Sequence, residues 1–283
     1  ELSDLTVGNG TASELAGSGA VYTATITPAG DGAVTVDITA DVAEDAAGNG
    51  NTAATQFSIE SDGSAPGVTL ATTASEPVSG AFEVSLTFTE TVTGLELSDL
   101  SVTNGTASNL AGSGASYTVS ITPSSDGDVS VSLPAGSAQD EAGNDSTVSN
   151  TLSIEADLTA PSVALSSTAT EPVSGAFPLT VTFSEDVTGF ELSDLTVGNG
   201  VASGLAGSGA VYTVTITPSG DGAVTVDVAA DVATDAAGNG NTAATQFSIE
   251  NDIDPPEVQM TSNTATVTGP FNVEITFNKP IAG

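Results

Sequence analysis

The chain has 283 residues, of which 36 are acidic and 1 is basic, for a formal charge of -35, and it contains no Cys, no His and no Trp. These counts exclude Ser-His-Asp and Cys-His nucleophile systems, zinc and haem sites of the usual kind and any disulfide framework, and they limit metal chemistry to oxygen ligands. So negative a surface repels phosphate backbones and anionic headgroups, which argues against nucleic acid and membrane-surface partners.

Hydrophobic residues make up 39% and mean hydropathy is +0.16, which separates the chain from acidic disordered tails. No apolar run approaches the roughly 18 residues of a membrane span. With no initiating Met and no leader at Glu1, the sequence reads as a segment of something longer.

Taken in chain order, the first feature is Leu2-Ser3-Asp4-Leu5, which returns at Leu97 to Leu100 and at Leu192 to Leu195, a constant offset of 95 residues. Gly17-Ser18-Gly19 and Gly30-Asp31-Gly32 follow as hairpin turns, with no helix or basic residue behind them to hold a phosphate. Ala47-Gly48-Asn49 and Pro66 recur at the same offset. Repetition at a fixed period is the mark of a tandem array. With its phase set by the prolines, the expected domains are 1–64 (the rear part of one unit), 65–159, 160–254 and 255–283 (the front of a fourth).

Within a unit the apolar period is two. Phe177, Leu179, Val181 and Phe183 alternate with polar or turn-forming residues, as do Tyr212, Val214 and Ile216, then Val224, Val226 and Val228. Gly, Asn, Asp and Ser clusters separate the runs. About seven short strands in such a unit predict an all-β chain of tandem immunoglobulin-like sandwiches in an elongated array, with strand B at 177–183 and strand F near 223–230. Tyr22, Tyr117 and Tyr212, and Phe57, Phe88, Phe183, Phe247 and Phe277, are expected in cores, since sugar-stacking aromatics would cluster on an exposed face.

The combination Val-Thr-Phe-Ser-Glu-Asp-Val at 181–187, Leu-Ser-Asp-Leu at 192–195 and Asp-Ala-Ala-Gly-Asn at 235–239 resembles the tandem bacterial Ig-like domains of large surface adhesins and biofilm-associated proteins. The resemblance implies a secreted or cell-surface, non-catalytic stalk, whose partners in the chain are the neighbouring repeats and which is often held rigid by calcium.

In such a sandwich the entering linker, the B–C loop and the F–G loop share a pole. That places Asp157, Glu185, Asp186, Asp235 and Asn239 at one junction, and Asp62, Glu90, Asp140 and Asn144 at the one before it. Both are candidate Ca²⁺ ligand sets, because calcium takes about 6 to 8 oxygens from flexible, carboxylate-rich surroundings. The competing reading of Asp-x-Ala-Gly-Asn is a plain tight turn. Asp31, Asp126 and Asp221, each in a Gly-flanked or Gly-followed turn, are read as turn residues. Lys279 falls where the earlier units carry Glu90 and Glu185, and is expected to pair with Asp252 or Asp254 and to weaken calcium binding there.

Paired carboxylates can hydrolyse glycosides without His or Cys, but here they recur with the repeat and no Trp is present to hold a sugar ring. The alternatives to a stalk are a glycan- or protein-binding Ig-like module and the accessory domains of a secreted hydrolase. The two whole units have equal length, with no insertion marking a binding loop.

Overall fold

The computed structural model describes residues 1–281. Strands dominate, and the chain divides into two compact units, Glu1–Asp157 and Leu158–Gly283.

The first unit opens with the rear part of a repeat: β1 (Leu5–Gly8), β2 (Gly10–Ser18), β3 (Val21–Pro28), β4 (Gly32–Ile38) and β5 (Phe57–Ser61). β1, β4 and β5 form one sheet and β2 and β3 a hairpin. A whole repeat follows: β6 (Val68–Ala71), β7 (Phe82–Val92), β8 (Ser101–Thr103), β9 (Gly105–Pro123), β10 (Gly127–Ser132) and β11 (Leu152–Ala156). Its sheets, β6-β7-β9 and β8-β10-β11, enclose one core. The two-residue period explains why: in β7, Phe82, Val84, Leu86 and Phe88 are buried while Glu83 and Thr87 face water. Val84, Leu86, Val119 and Ile121 are fully buried, each worth about 1.5–3 kcal/mol relative to exposure.

The second unit repeats this plan in β12 (Val163–Ser166), β13 (Phe177–Val187), β14 (Leu195–Gly198), β15 (Gly200–Pro218), β16 (Gly222–Val228) and β17 (Phe247–Asn251), and ends with the hairpin β18 (Val258–Thr261) and β19 (Glu274–Phe277). β12-β13-β15 faces β14-β16-β17 across a core holding the aromatic trio Phe183, Phe190 and Tyr212, whose ring centroids lie 5.1–6.1 Å apart at steep angles.

Two expectations change. Strand B runs beyond residue 183, to Val187, with a register shift against β15 between Thr182 and Val187, so Glu185 and Asp186 sit on an irregular strand end rather than in a loop. The Tyr212 hydroxyl donates to the Val187 carbonyl at 3.4 Å and Tyr117 to that of Val92 at 3.2 Å, tying each irregular end to the neighbouring strand. Secondly, the aromatics of the whole repeats lie in the cores or, for Tyr117 and Phe247, partly buried against them, whereas those outside the whole repeats do not. Tyr22 and Phe57 are 60% and 58% exposed and Phe277 37%, because the strands that cover their counterparts Tyr212, Phe247 and Phe183 have no equivalent packed against them.

Candidate metal centre

The loop between β10 and β11 carries Asp140, which is 6% exposed. Its Oδ1 accepts the backbone N–H of Asn144 at 2.8 Å and its Oδ2 the Asn144 side-chain amide at 2.8 Å, while Gly143 turns the chain at φ 93°. The motif is therefore a tight turn in geometry, and it also presents a buried carboxylate. Burial pushes the Asp140 carboxyl up, but hydrogen bonds from the Asn144 side chain and the Asn144, Gly143 and Ala142 backbone outweigh it and hold the group below the usual range.

Glu90 comes from the irregular end of β7, the one tied down by Tyr117. Asp62 comes from the linker between the first and second repeats. The linker is clamped from both sides. Asn144 donates its amide to the Asp62 carbonyl at 3.1 Å, and Asp31 accepts the Gly63 N–H at 2.7 Å and the Ser64 hydroxyl. These two bonds hold Asp31 below the ordinary carboxylate range, that of the Ser64 hydroxyl contributing more. One carboxylate oxygen from each of Asp62, Glu90 and Asp140 lies within 4.8 Å of the others. Partial burial first, then the negative charges of Asp62, Asp140 and Asp31, push Glu90 above its ordinary value.

Such a set fits a hard dication. Two ligands at 2.3–2.6 Å from one Ca²⁺ can stand no farther apart than about 5.2 Å, so three oxygens within 4.8 Å of one another are close enough to share an ion, and all the donors are oxygen. The unit Glu1–Asp157 has no Lys, Arg or His side chain in its sequence to balance these charges. Asn144 donates its side-chain amide to the Asp140 carboxylate and to the Asp62 backbone carbonyl, and so orients that carboxylate and holds the linker beside it.

In the second unit the same turn recurs. Asp235, 6% exposed, accepts the Asn239 backbone N–H and side-chain amide, each at 2.9 Å, and the carboxylates of Asp235 and Glu185 lie within 4.8 Å of each other. Asp186 is turned to Gly209, where an added Cβ would come 2.7 Å from its Oδ1. Asp157 ends the first unit, its N–H bonded to the Val78 carbonyl at 3.0 Å.

Near the end of the second unit the pattern changes sign. Lys279 pairs with the Asp252 carboxylate and donates to the Asp254 carbonyl at 3.0 Å. Asp221 accepts the Ile253 N–H at 2.8 Å, as Asp31 does from Gly63 two linkers earlier. That clamp on the linker was not readable from a Gly-Asp-Gly turn. The partner lies 32 residues on, and no local pattern announces it.

The model of the bacterial Ig-like domain family matches residues 1–60, 62–156 and 157–250. No curated protein matches the chain in sequence. Among solved structures, it is similar to invasin, a bacterial integrin-binding protein, at 15% identity and TM-score 0.37, covering 86% of this chain and 49% of that one. The chain thus spans about half the length of that structure. Adhesin InvE of Yersinia pseudotuberculosis aligns at 16% identity and TM-score 0.23, over 66% of this chain and 58% of that one. A tetra-tandem repeat from the extending region of a large adhesion protein aligns at 18% identity and TM-score 0.25, over 91% and 76%.

Proposed function

Starting from the fact that the chain belongs to the bacterial Ig-like domain family, we propose that it is a non-catalytic stalk segment of a large extracellular adhesin, with calcium held at the junctions between repeats. The observation that carries this reading is the Asp62, Glu90 and Asp140 cluster, which joins a linker to the irregular end of one strand and the turn of another loop. Without a cation the three carboxylates repel one another across that linker. Bound Ca²⁺ would supply the missing positive charge, and Asp62, Glu90 and Asp140 would hold it, with water or backbone carbonyls completing its shell. Asn144 and Asp31 fix the linker against the loops in either case. The sequence repeats the same residue types at Asp157, Glu185 and Asp235.

In a tandem array each repeat contacts only its sequence neighbours, so the stiffness of such an array is set at its linkers. The test is calcium titration of the 283-residue chain by calorimetry, with hydrogen exchange read at 62–66. Binding on the order of 10⁻⁴ to 10⁻³ M, the range of extracellular modules, together with slower exchange in the linker, is expected. Absence of binding at several millimolar calcium would overturn the calcium part of the proposal.

A further inference from the structure

The turns that enter β4 and β16 grip a linker with the same parts. In the first unit Asn9 donates its side-chain amide to the carbonyls of Gly30 and Asp31 at 3.1 and 3.3 Å, which fixes the turn. Asp31 then takes two hydrogens from the linker, the Gly63 N–H and the Ser64 hydroxyl. In the second unit Asn199 donates to the carbonyls of Gly220 and Asp221 at 3.0 and 3.3 Å, and Asn251 adds a bond to Gly220 at 2.6 Å. Asp221 takes the Ile253 N–H at 2.8 Å. The second hydrogen is where the linkers differ. They read Gly63-Ser64, Leu158-Thr159 and Ile253-Asp254, so two carry a hydroxyl at that position and the third a carboxyl. A hydroxyl donates at any pH, whereas a carboxyl donates only when protonated.

We propose that Asp221 and Asp254 form a proton-gated clamp on the linker between the third and fourth repeats. One proton shared by the pair restores the bond that Ser64 makes to Asp31. Its loss leaves two carboxylates in repulsion, and the turn then grips the linker through the Ile253 N–H alone. Because Asn199 and Asn251 hold the turn that carries Asp221, that repulsion is relieved by movement of Asp254 and the linker.

The surrounding charges decide which member carries the proton. Among the described residues, the pair is faced by Asp252 from the linker and by Lys279, whose ammonium pairs with Asp252 and donates to the Asp254 carbonyl at 3.0 Å. Hydrogen bonding with Asp221 first, then the Asp221 charge, raises the Asp254 carboxyl above its ordinary value of 3.8, with Asp252 adding to the rise and Lys279 opposing it. The Ile253 N–H foremost holds Asp221 below that value. The proton therefore settles on Asp254 and Asp221 remains the acceptor. The bond forms as pH falls through the raised value of Asp254 and persists until Asp221 itself is protonated below 3.8. Neither residue belongs to the candidate calcium sets, so the clamp is independent of the calcium reading and should operate in chelator.

The experiment is an NMR titration of the full chain in chelator, from neutral pH down through the carboxylate range, reading the aspartate carboxyl carbons and the Ile253 amide. The Asp254 carboxyl should titrate above 3.8, and the Ile253 amide should shift with the same midpoint. Asp254→Ser gives this linker the hydroxyl of the other two and should abolish the Ile253 step above 3.8. Ser64→Asp should transplant the device, so that the carboxyl it introduces beside Asp31 also titrates above 3.8. An Asp254 carboxyl titrating at or below 3.8, an Ile253 step that survives in Asp254→Ser, or an introduced carboxyl at position 64 that titrates at or below 3.8 would each overturn the proposal.

Discussion

The Lys279 ammonium binds the Asp252 carboxylate at the repeat position where, two linkers earlier, Glu90 stands against Asp62. One junction is held by a covalently attached cation and the other gathers negative charge. The Asp252 carboxylate first, and the charges of Asp221 and Asp254 behind it, push Lys279 above its ordinary value of 10.5, so its ammonium stays charged at any physiological pH.

A consequence is a difference in calcium affinity. An ammonium cannot ligate a metal and repels one, so the linker near Asp252 should bind calcium more weakly than the linker near Asp62. Lys279→Glu should convert the weak junction toward the strong one. Calorimetry should then detect an added binding event, while Glu90→Lys should remove one. An unchanged isotherm for Lys279→Glu would show that the position does not touch the ion.

Acid should stabilise the calcium-free protein before it destabilises it. Glu90 has a raised folded-state pKa, so the folded protein binds this proton more tightly than the unfolded chain does. Stability therefore falls as pH rises between the unfolded value near 4.5 and the raised folded one, and is recovered on acidification through that window. Asp140, Asp45 and Asp31 act oppositely. Their folded values are lowered, so the stability they contribute is present above their unfolded value near 3.8 and is lost as pH falls below it. In chelator, melting temperature should rise on acidification through the window above 4.5 in which Glu90 takes up its proton, and drop once pH falls below 3.8. Glu90→Gln should flatten the rise and leave the drop.

Much of this arrangement was legible because its causes are local. Alternation of Val, Leu and Phe with Thr and Ser dictates strands, and repetition of Leu-Ser-Asp-Leu and Ala-Gly-Asn at constant spacing dictates the array. The convergence of Asp62, Glu90 and Asp140 followed from knowing which loops share a pole. Non-local features were hidden. The slip of pairing between Thr182 and Val187 leaves the alternation of Val181, Phe183 and Val187 intact, so nothing in the sequence marks where hydrogen bonding stops. The exposure of Phe57 and Phe277 depends on which strands lie across from them, and a periodicity says only that a face is apolar.

Tyr212 joins two roles that substitution can separate. Its ring packs against Phe183 and Phe190, and its hydroxyl donates to Val187. Tyr212→Phe should keep the packing and lose one hydrogen bond, costing about 0.5–1.5 kcal/mol. Tyr212→Ala should cost about 3–5 kcal/mol, as for other large aromatic truncations. Chemical denaturation resolves the two, and equal losses would mean that the hydroxyl, not the ring, dominates.

Asn241 organises the loop that carries Asp235, and the second repeat provides its own control. Asn241 is 1% exposed. Its Oδ1 accepts the N–H groups of Val232 at 3.0 Å and Ala233 at 2.8 Å, and its amide donates to the carbonyls of Ala229 and Thr242, both at 2.9 Å. Asn241→Ala strips partners from four backbone groups, and each one left buried and unsatisfied costs about 1–3 kcal/mol, so the domain should lose several kcal/mol. At the same position the preceding repeat has Ser146, 2% exposed, whose hydroxyl still accepts the Ala138 N–H at 3.2 Å. Asn241→Ser should accordingly retain one of the four bonds and fall between wild type and Asn241→Ala in urea midpoint. Should the serine variant prove as damaged as the alanine one, the loop of the preceding repeat must be held by something other than Ser146, and Asp235 would owe its position to the Asn239 turn alone.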